Sequence, residues 1–132
     1  MSTLQGGCAC GAVRYEVKGT PYHRTLCHCV DCRRTAGAPA VAWFSVHAAE
    51  LVFVAGAPTL HRSSPPVERG FCACCGTQLL YRSDDFPAEV DVTVCSLDDP
   101  EAAAPDDHTF VSQRLHWLRT DDGLPEFQRF RG

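Results

Sequence analysis

A mainly β domain is what this sequence predicts, and three observations carry the prediction. Apolar residues recur with period two over short segments, clusters of Gly, Pro and Asp separate those segments, and helical periodicity is nearly absent. The 132 residues fit one domain, 1–132, with no room for a second catalytic one.

The elements follow in chain order. Val13, Tyr15 and Val17 alternate with Arg14 and Glu16 as the first half-buried strand. Val30 to Ala36, just after a group of cysteines, reads as a turn or short helix. Val41, Trp43 and Ser45 alternate with Ala42, Phe44 and Val46, and a turn near His47 to Glu50 leads into a strand at Leu51 to Val54. Thr59 to Arg62 and Gln78 to Tyr81 are further strands on either side of the Pro65-Pro66 loop. Val90, Val92 and Val94 then alternate with Asp91, Thr93 and Cys95. Asp98 to Asp107, with three alanines between prolines, reads as a loop, and Thr109 to Ser112 and Leu115 to Leu118 as the last strands. Exposed strand edges leave room for a homodimer.

The core those strands can build is thin. Of the 45% apolar residues, 9 are Cys and 15 are Ala, and there is no Ile. A domain of this size buries only about two thirds of its unfolded surface, so a lean core calls for crosslinks, and the nine cysteines are the obvious ones. Met1 to Cys8 has no basic start and no apolar run, and no stretch approaches the roughly 18 apolar residues of a membrane span, so a cytoplasmic protein is expected. In that compartment disulfides are rare and closely spaced Cys bind metal or do chemistry; an odd count also argues against a closed disulfide set. Twelve basic against sixteen acidic residues, with the basic ones spread along the chain, disfavour nucleic acid as a partner.

Eight cysteines fall in three clusters: Cys8-Ala9-Cys10-Gly11, Cys27-His28-Cys29-Val30-Asp31-Cys32 and Cys72-Ala73-Cys74-Cys75-Gly76. Close spacing ended by Gly makes a tight turn whose backbone amides point at the sulfurs. Cys8 and Cys10 with Cys72 and Cys75 then complete a closed tetrahedral four-sulfur site that holds the fold together, with iron as the rival to zinc. Cys27, Cys29 and Cys32 have no obvious fourth partner. Three protein ligands leave the open position of a catalytic zinc, unless Cys74, Cys95 or a His closes it.

Gly6 to Tyr15, Cys27 to Pro39 and Arg69 to Leu79 resemble the three motifs of the glutathione-dependent formaldehyde-activating enzyme family, which includes the centromere protein V type. Ser96 to Pro100, His108-Thr109-Phe110, Trp117 and Gly123-Leu124-Pro125 are similar to its C-terminal half. The resemblance implies a β-tent fold of antiparallel sheets pinned by a four-Cys zinc on Cys8, Cys10, Cys72 and Cys75. It implies a second zinc on Cys27, Cys29 and Cys32 at the active site, hence two zinc ions per chain. The implied activity is a carbon–sulfur lyase reaction run in reverse, condensing glutathione or a similar small thiol with formaldehyde or another aldehyde. A non-catalytic glutathione carrier and a structural zinc module for protein contacts are the other readings; the absence of a basic or Pro-rich tail speaks against the last.

Glutathione carries two carboxylates, so cations are expected around it, and Arg33 and Arg34, directly after the third ligand, are the candidate clamps. Arg69 is expected to pair with a carboxylate, and His108 to be a hydrogen-bonded structural residue. The His28 ring should point away from the metal. One of Trp43 and Phe44 belongs to the core while the other walls a pocket. Cys95 either faces the cavity or lies half-buried, and Cys74 competes as a ligand.

Overall fold

The structure, a computed structural model, describes residues 3–131; Met1 and Ser2 of the N-terminal reading lie outside them. In chain order its elements are β1 (Leu4–Gly7), β2 (Arg14–Val17), β3 (Tyr22–Cys27), α1 (Val30–Ala36), β4 (Val41–His47), β5 (Leu51–Ala55), β6 (Thr59–Ser64), β7 (Val67–Phe71), β8 (Gln78–Ser83), β9 (Glu89–Thr93) and β10 (Asp107–Thr109). The fold is mainly β, as expected. Strands β1, β2 and β5 form one antiparallel sheet, and the other seven form a second in the order β10-β3-β4-β9-β8-β7-β6. One pair, β3 with β10, is parallel, so the larger sheet is mixed where antiparallel sheets were expected.

Where alternation is regular, sequence and structure agree. Tyr15 and Val17 are buried on β2, and Val90 and Val92 on β9, as period two requires. Strands β1, β3 and β7 lack that signal. Two of the four residues of β1 are Gly, and the chain slips register between Tyr22 and Thr25 of β3, where His23 takes φ 47°. Strand β7 carries Glu68, Arg69 and Gly70 in its middle. The last two expected strands are corrected. β10 lies earlier than Thr109 to Ser112, because Phe110 turns to φ 55° and Val111–Gln113 forms a 3-10 turn. Leu115 to Leu118 is a turn closed by the Leu118 N–H on the Leu115 carbonyl at 3.1 Å. The Asp98 to Asp107 loop contains a single 3-10 turn, Pro100–Ala103, capped by the Asp99 carboxylate.

The seven-stranded sheet separates two apolar clusters. On one face Phe44, Val46, Leu80 and Val92 pack with Tyr15 and Val17 of the smaller sheet, and Cys8 and Cys72 belong to this main core. On the other face Val41 and Trp43 pack with Cys27 and Cys32. Neighbouring residues Trp43 and Phe44 thus serve different clusters: Phe44 is core, and Trp43 walls the three-cysteine segment.

Candidate functional site

Cys8, Cys10, Cys72 and Cys75 bring four sulfurs within 4.8 Å of one another, and Cys27, Cys29 and Cys32 bring three. Both groups are those the spacing suggested. All nine cysteines are free thiols. The four-Cys group is made by two matching turns. The Cys8 N–H donates to Val13 O at 3.0 Å and the Cys72 N–H to Thr77 O at 2.9 Å; between them Gly11 and Gly76 each sit at φ 81°. That left-handed backbone is strained for any residue with a Cβ, which is why Gly follows Cys10 and Cys75. The Ala9 N–H donates to Thr77 Oγ1 at 3.0 Å and ties one turn to the other. Val13 N–H donates to Cys8 Sγ at 3.2 Å and draws that thiol down; the Thr77 hydroxyl and N–H draw Cys75 down to about 5.

The donor set fits a thiophilic divalent cation. A tetrahedral ion with metal–sulfur bonds of about 2.3 Å needs sulfurs about 3.8 Å apart. Cys8 and Cys10 are separated by 3.6 Å, Cys10 and Cys72 by 3.8 Å, and Cys27 and Cys29 by 3.4 Å.

The three-Cys group forms where β3 runs into α1. Cys29 caps the helix, its sulfur accepting the Cys32 N–H at 3.3 Å, so one turn of helix brings Cys32 back beside Cys29. The adjacent Cys27 and Cys32 sulfurs hold Cys29 well below the usual thiol range, against the effect of burial. Cys29 is also the most exposed of the three. Among the described residues no fourth Cys, His, Asp or Glu joins this group. Cys74 and Cys95 are both exposed and belong to neither group, so Cys74 is not a ligand in this arrangement, and Cys95 rides exposed on a 3-10 turn and is not half-buried.

The C-terminal segment fastens the three-Cys segment in place. The His28 N–H donates to Thr109 O at 3.1 Å, and the Val30 N–H donates to Gln113 Oε1 at 2.8 Å. His28 is fully buried with its Nε2 2.9 Å from His108 Nδ1, and His108 Nε2 lies 2.9 Å from Asp122 Oδ2. Because the carboxylate must accept, His108 donates from Nε2 and accepts at Nδ1, and His28 donates from Nε2. Its Nδ1 is then a buried lone pair with no partner among the described residues. Burial first, then the charge of Arg114, hold His28 down at about 4, so it is neutral at pH 7. Its ring points away from the sulfurs as expected, but inward to His108 and not to solvent.

The arginines divide differently from the expectation. Arg33 gives Nε to His28 O at 3.3 Å and Nη2 to Gln113 O at 3.2 Å, tying the helix to the C-terminal segment. Arg34 is exposed on the helix, with no partner among the described residues. Among the described residues Arg69 has no carboxylate partner, contrary to expectation. It is buried, 8% exposed, donates to Thr35 Oγ1 at 3.2 Å and lies over the Tyr81 ring at 5.1 Å. Thr35, Gln113 and Asp122 around the site were not singled out in the sequence, and Arg69 was expected only as the structural partner of a carboxylate. For Arg69 the missing signal was β7 itself: once that strand is placed, Arg69 pairs with Tyr81 and Tyr81 with Asp91, which pairs with Ser45, so alternation puts Arg69 on the Trp43 side of the sheet.

The sequence profile of the family described as glutathione-dependent formaldehyde-activating enzyme matches residues 3–113. The match ends before Trp117 and Gly123-Leu124-Pro125, the last features of the resemblance. A curated protein of Halomonas elongata that carries this family's name is 30% identical over 128 residues, covering 89% of this chain and 81% of that protein. A crystal structure of a Rhodobacter sphaeroides protein superposes with a TM-score of 0.57 at 22% identity, covering 93% of this chain and 98% of that one, and shares the fold.

Proposed function

The chain belongs to the glutathione-dependent formaldehyde-activating enzyme family, and from that premise we propose that it condenses glutathione, or a related small thiol, with formaldehyde or another small aldehyde. The product is an S-hydroxymethyl-type adduct, and the reaction is that of a zinc-dependent carbon–sulfur lyase run in the direction of bond formation. The thiol sulfur attacks the carbonyl carbon, the carbonyl electron pair moves to oxygen, and oxygen gains the proton that the thiol loses. One observation carries the reading: three sulfurs converge on one point with no fourth protein donor among the described residues.

In this reading zinc on Cys8, Cys10, Cys72 and Cys75 is structural, and a second zinc is held by Cys27, Cys29 and Cys32. Bound there, zinc lowers the pKa of a thiol; with three thiolates around it, it is a poor polariser of carbonyls, so it favours thiol delivery. The protein residues do the positioning. Arg33 and Gln113 hold the Cys27 to Cys32 segment against the C-terminal segment. Arg34, exposed beside it, is the contact for a substrate carboxylate. Trp43, Tyr81 and Phe110 line the site with apolar surface that excludes water. The nine free thiols suit a reducing cytoplasm. Partners are small molecules, with neither nucleic acid nor membrane required; among the described residues no helix is long and apolar enough to cross a bilayer.

Exchange NMR on formaldehyde and glutathione tests catalysis directly, because the adduct also forms without protein. Catalysis predicts adduct formation at least ten times faster with the zinc-loaded protein, and loss of that acceleration in Cys29→Ser. Glutathione binding without acceleration would instead make the protein a carrier.

A further inference from the structure

The proposed reaction leaves one buried charge at the site without a task. Arg69 is on the Trp43 and Tyr81 side of the large sheet, and it makes no ion pair with a carboxylate among the described residues. It is fixed from two sides. Tyr81 lies under its guanidinium, and Thr35 Oγ1, which accepts from Arg69 Nη1, itself donates to the Cys32 carbonyl at 3.1 Å. Arg69 is therefore linked through one hydroxyl to the backbone of the third candidate ligand.

A guanidinium held at one nitrogen and stacked on a ring keeps further N–H groups to offer, and leaving a buried charge unpaired is costly. Three thiolates on a divalent ion carry one net negative charge. Arg69 offsets it, so an anionic ligand arriving at the fourth position meets a neutral surrounding and not a repulsive one. We propose that Arg69 is the anion-binding residue of the three-Cys site, where its free N–H groups hold an anionic oxygen of the reacting pair. This rests on the thiol and aldehyde reading above. Such an oxygen has two sources: a carboxylate of the thiol substrate, or the alkoxide left when the sulfur pair forms the C–S bond and the carbonyl π pair moves to oxygen, before a proton from water neutralises it.

The test uses zinc-loaded wild type, Arg69→Met and Arg69→Lys, with calorimetric titration by glutathione and by 2-mercaptoethanol, which has no carboxylate, and adduct formation followed by NMR. A carboxylate source predicts glutathione binding at least tenfold weaker in Arg69→Met, unchanged 2-mercaptoethanol binding and partial recovery in Arg69→Lys. An alkoxide source predicts both thiols bound as in wild type and the acceleration lost, adduct forming in Arg69→Met at close to the rate without protein. Binding and turnover within twofold of wild type in a folded Arg69→Met overturn the proposal. If that variant does not fold, Thr35→Val removes the tether and keeps the charge; a several-fold shift in either quantity supports the role, and none overturns it. A wild type that holds zinc but binds no thiol sinks the proposed function itself, whereas a wild type that binds and accelerates, with both binding and acceleration unchanged in Arg69→Met, sinks only the role of Arg69.

Discussion

Asp91 on β9 accepts the Ser45 hydroxyl at 2.6 Å, yet burial lifts its carboxyl to about 6. The folded state thus holds a proton that the unfolded chain, titrating near 4, has already released. Ionised Asp91 lowers stability above pH 6, and the penalty fades as pH falls towards 4. Asp91→Asn keeps an acceptor for Ser45 and should raise stability at pH 7 by about 2 kcal/mol, a gain that shrinks as thermal melts are repeated towards pH 5. Asp107 shows the opposite balance. Burial would raise it, but Arg131 bonds both its oxygens at 2.7 and 2.9 Å and holds it below the usual range. Arg131→Met strands a buried carboxylate and should cost about 3 kcal/mol in denaturant unfolding at pH 7. The seven candidate ligands were legible from sequence because their geometry is local: one or two residues lie between successive ligands of each cluster, and Gly marks two of the turns. Arg69 was not legible, since its place depends on the pairing of β7 with β8, and a strand with Glu68, Arg69 and Gly70 at its centre has no apolar alternation to read.

Among the elements, the two Gly-ended turns and the C-terminal segment carry different duties. Gly76→Ala forces a Cβ onto φ 81° and should cost about 1–2 kcal/mol while weakening retention of metal by the four-Cys group, measured by competition with a chelator. The backbone at that turn is what sets the sulfurs, so the two effects should move together. The segment from β10 onward acts through His108, which is buried between His28 and Asp122. His108→Ala leaves His28 Nε2 without its acceptor and opens a cavity, and should cost about 2–4 kcal/mol by denaturant unfolding. Hydrogen exchange should speed up at the His28 and Val30 amides, which the same segment holds, more than in β8. Alternation found β2, β4 and β9 because each puts apolar residues on a buried face. It failed at Leu115 to Leu118, where a local turn bond satisfies the backbone instead, and it misplaced β10, whose partner β3 runs parallel some eighty residues away.

At the scale of the molecule, the large sheet keeps the two cysteine groups on different packing faces, one within the main core and one beside Trp43. The thin core anticipated from composition is thereby supplemented where Cys8 and Cys72 are buried, while the second group stays at an accessible edge through Cys29. A net charge of −4 repels an anionic thiol at long range, so the proposed reaction needs local cations for capture, the role proposed for Arg34 at the surface and Arg69 within. Separate faces imply separate duties, and metal loss should reveal them: removal from the four-Cys group unfolds the chain, and removal from the three-Cys group abolishes thiol binding without unfolding it. The direct measurement is metal content together with glutathione titration of wild type and Cys29→Ser. Two zinc ions per chain falling to about one, with the fold kept and glutathione binding lost, is the predicted result. Unchanged zinc and unchanged binding in Cys29→Ser would contradict it and leave the three-Cys group without a part in thiol chemistry.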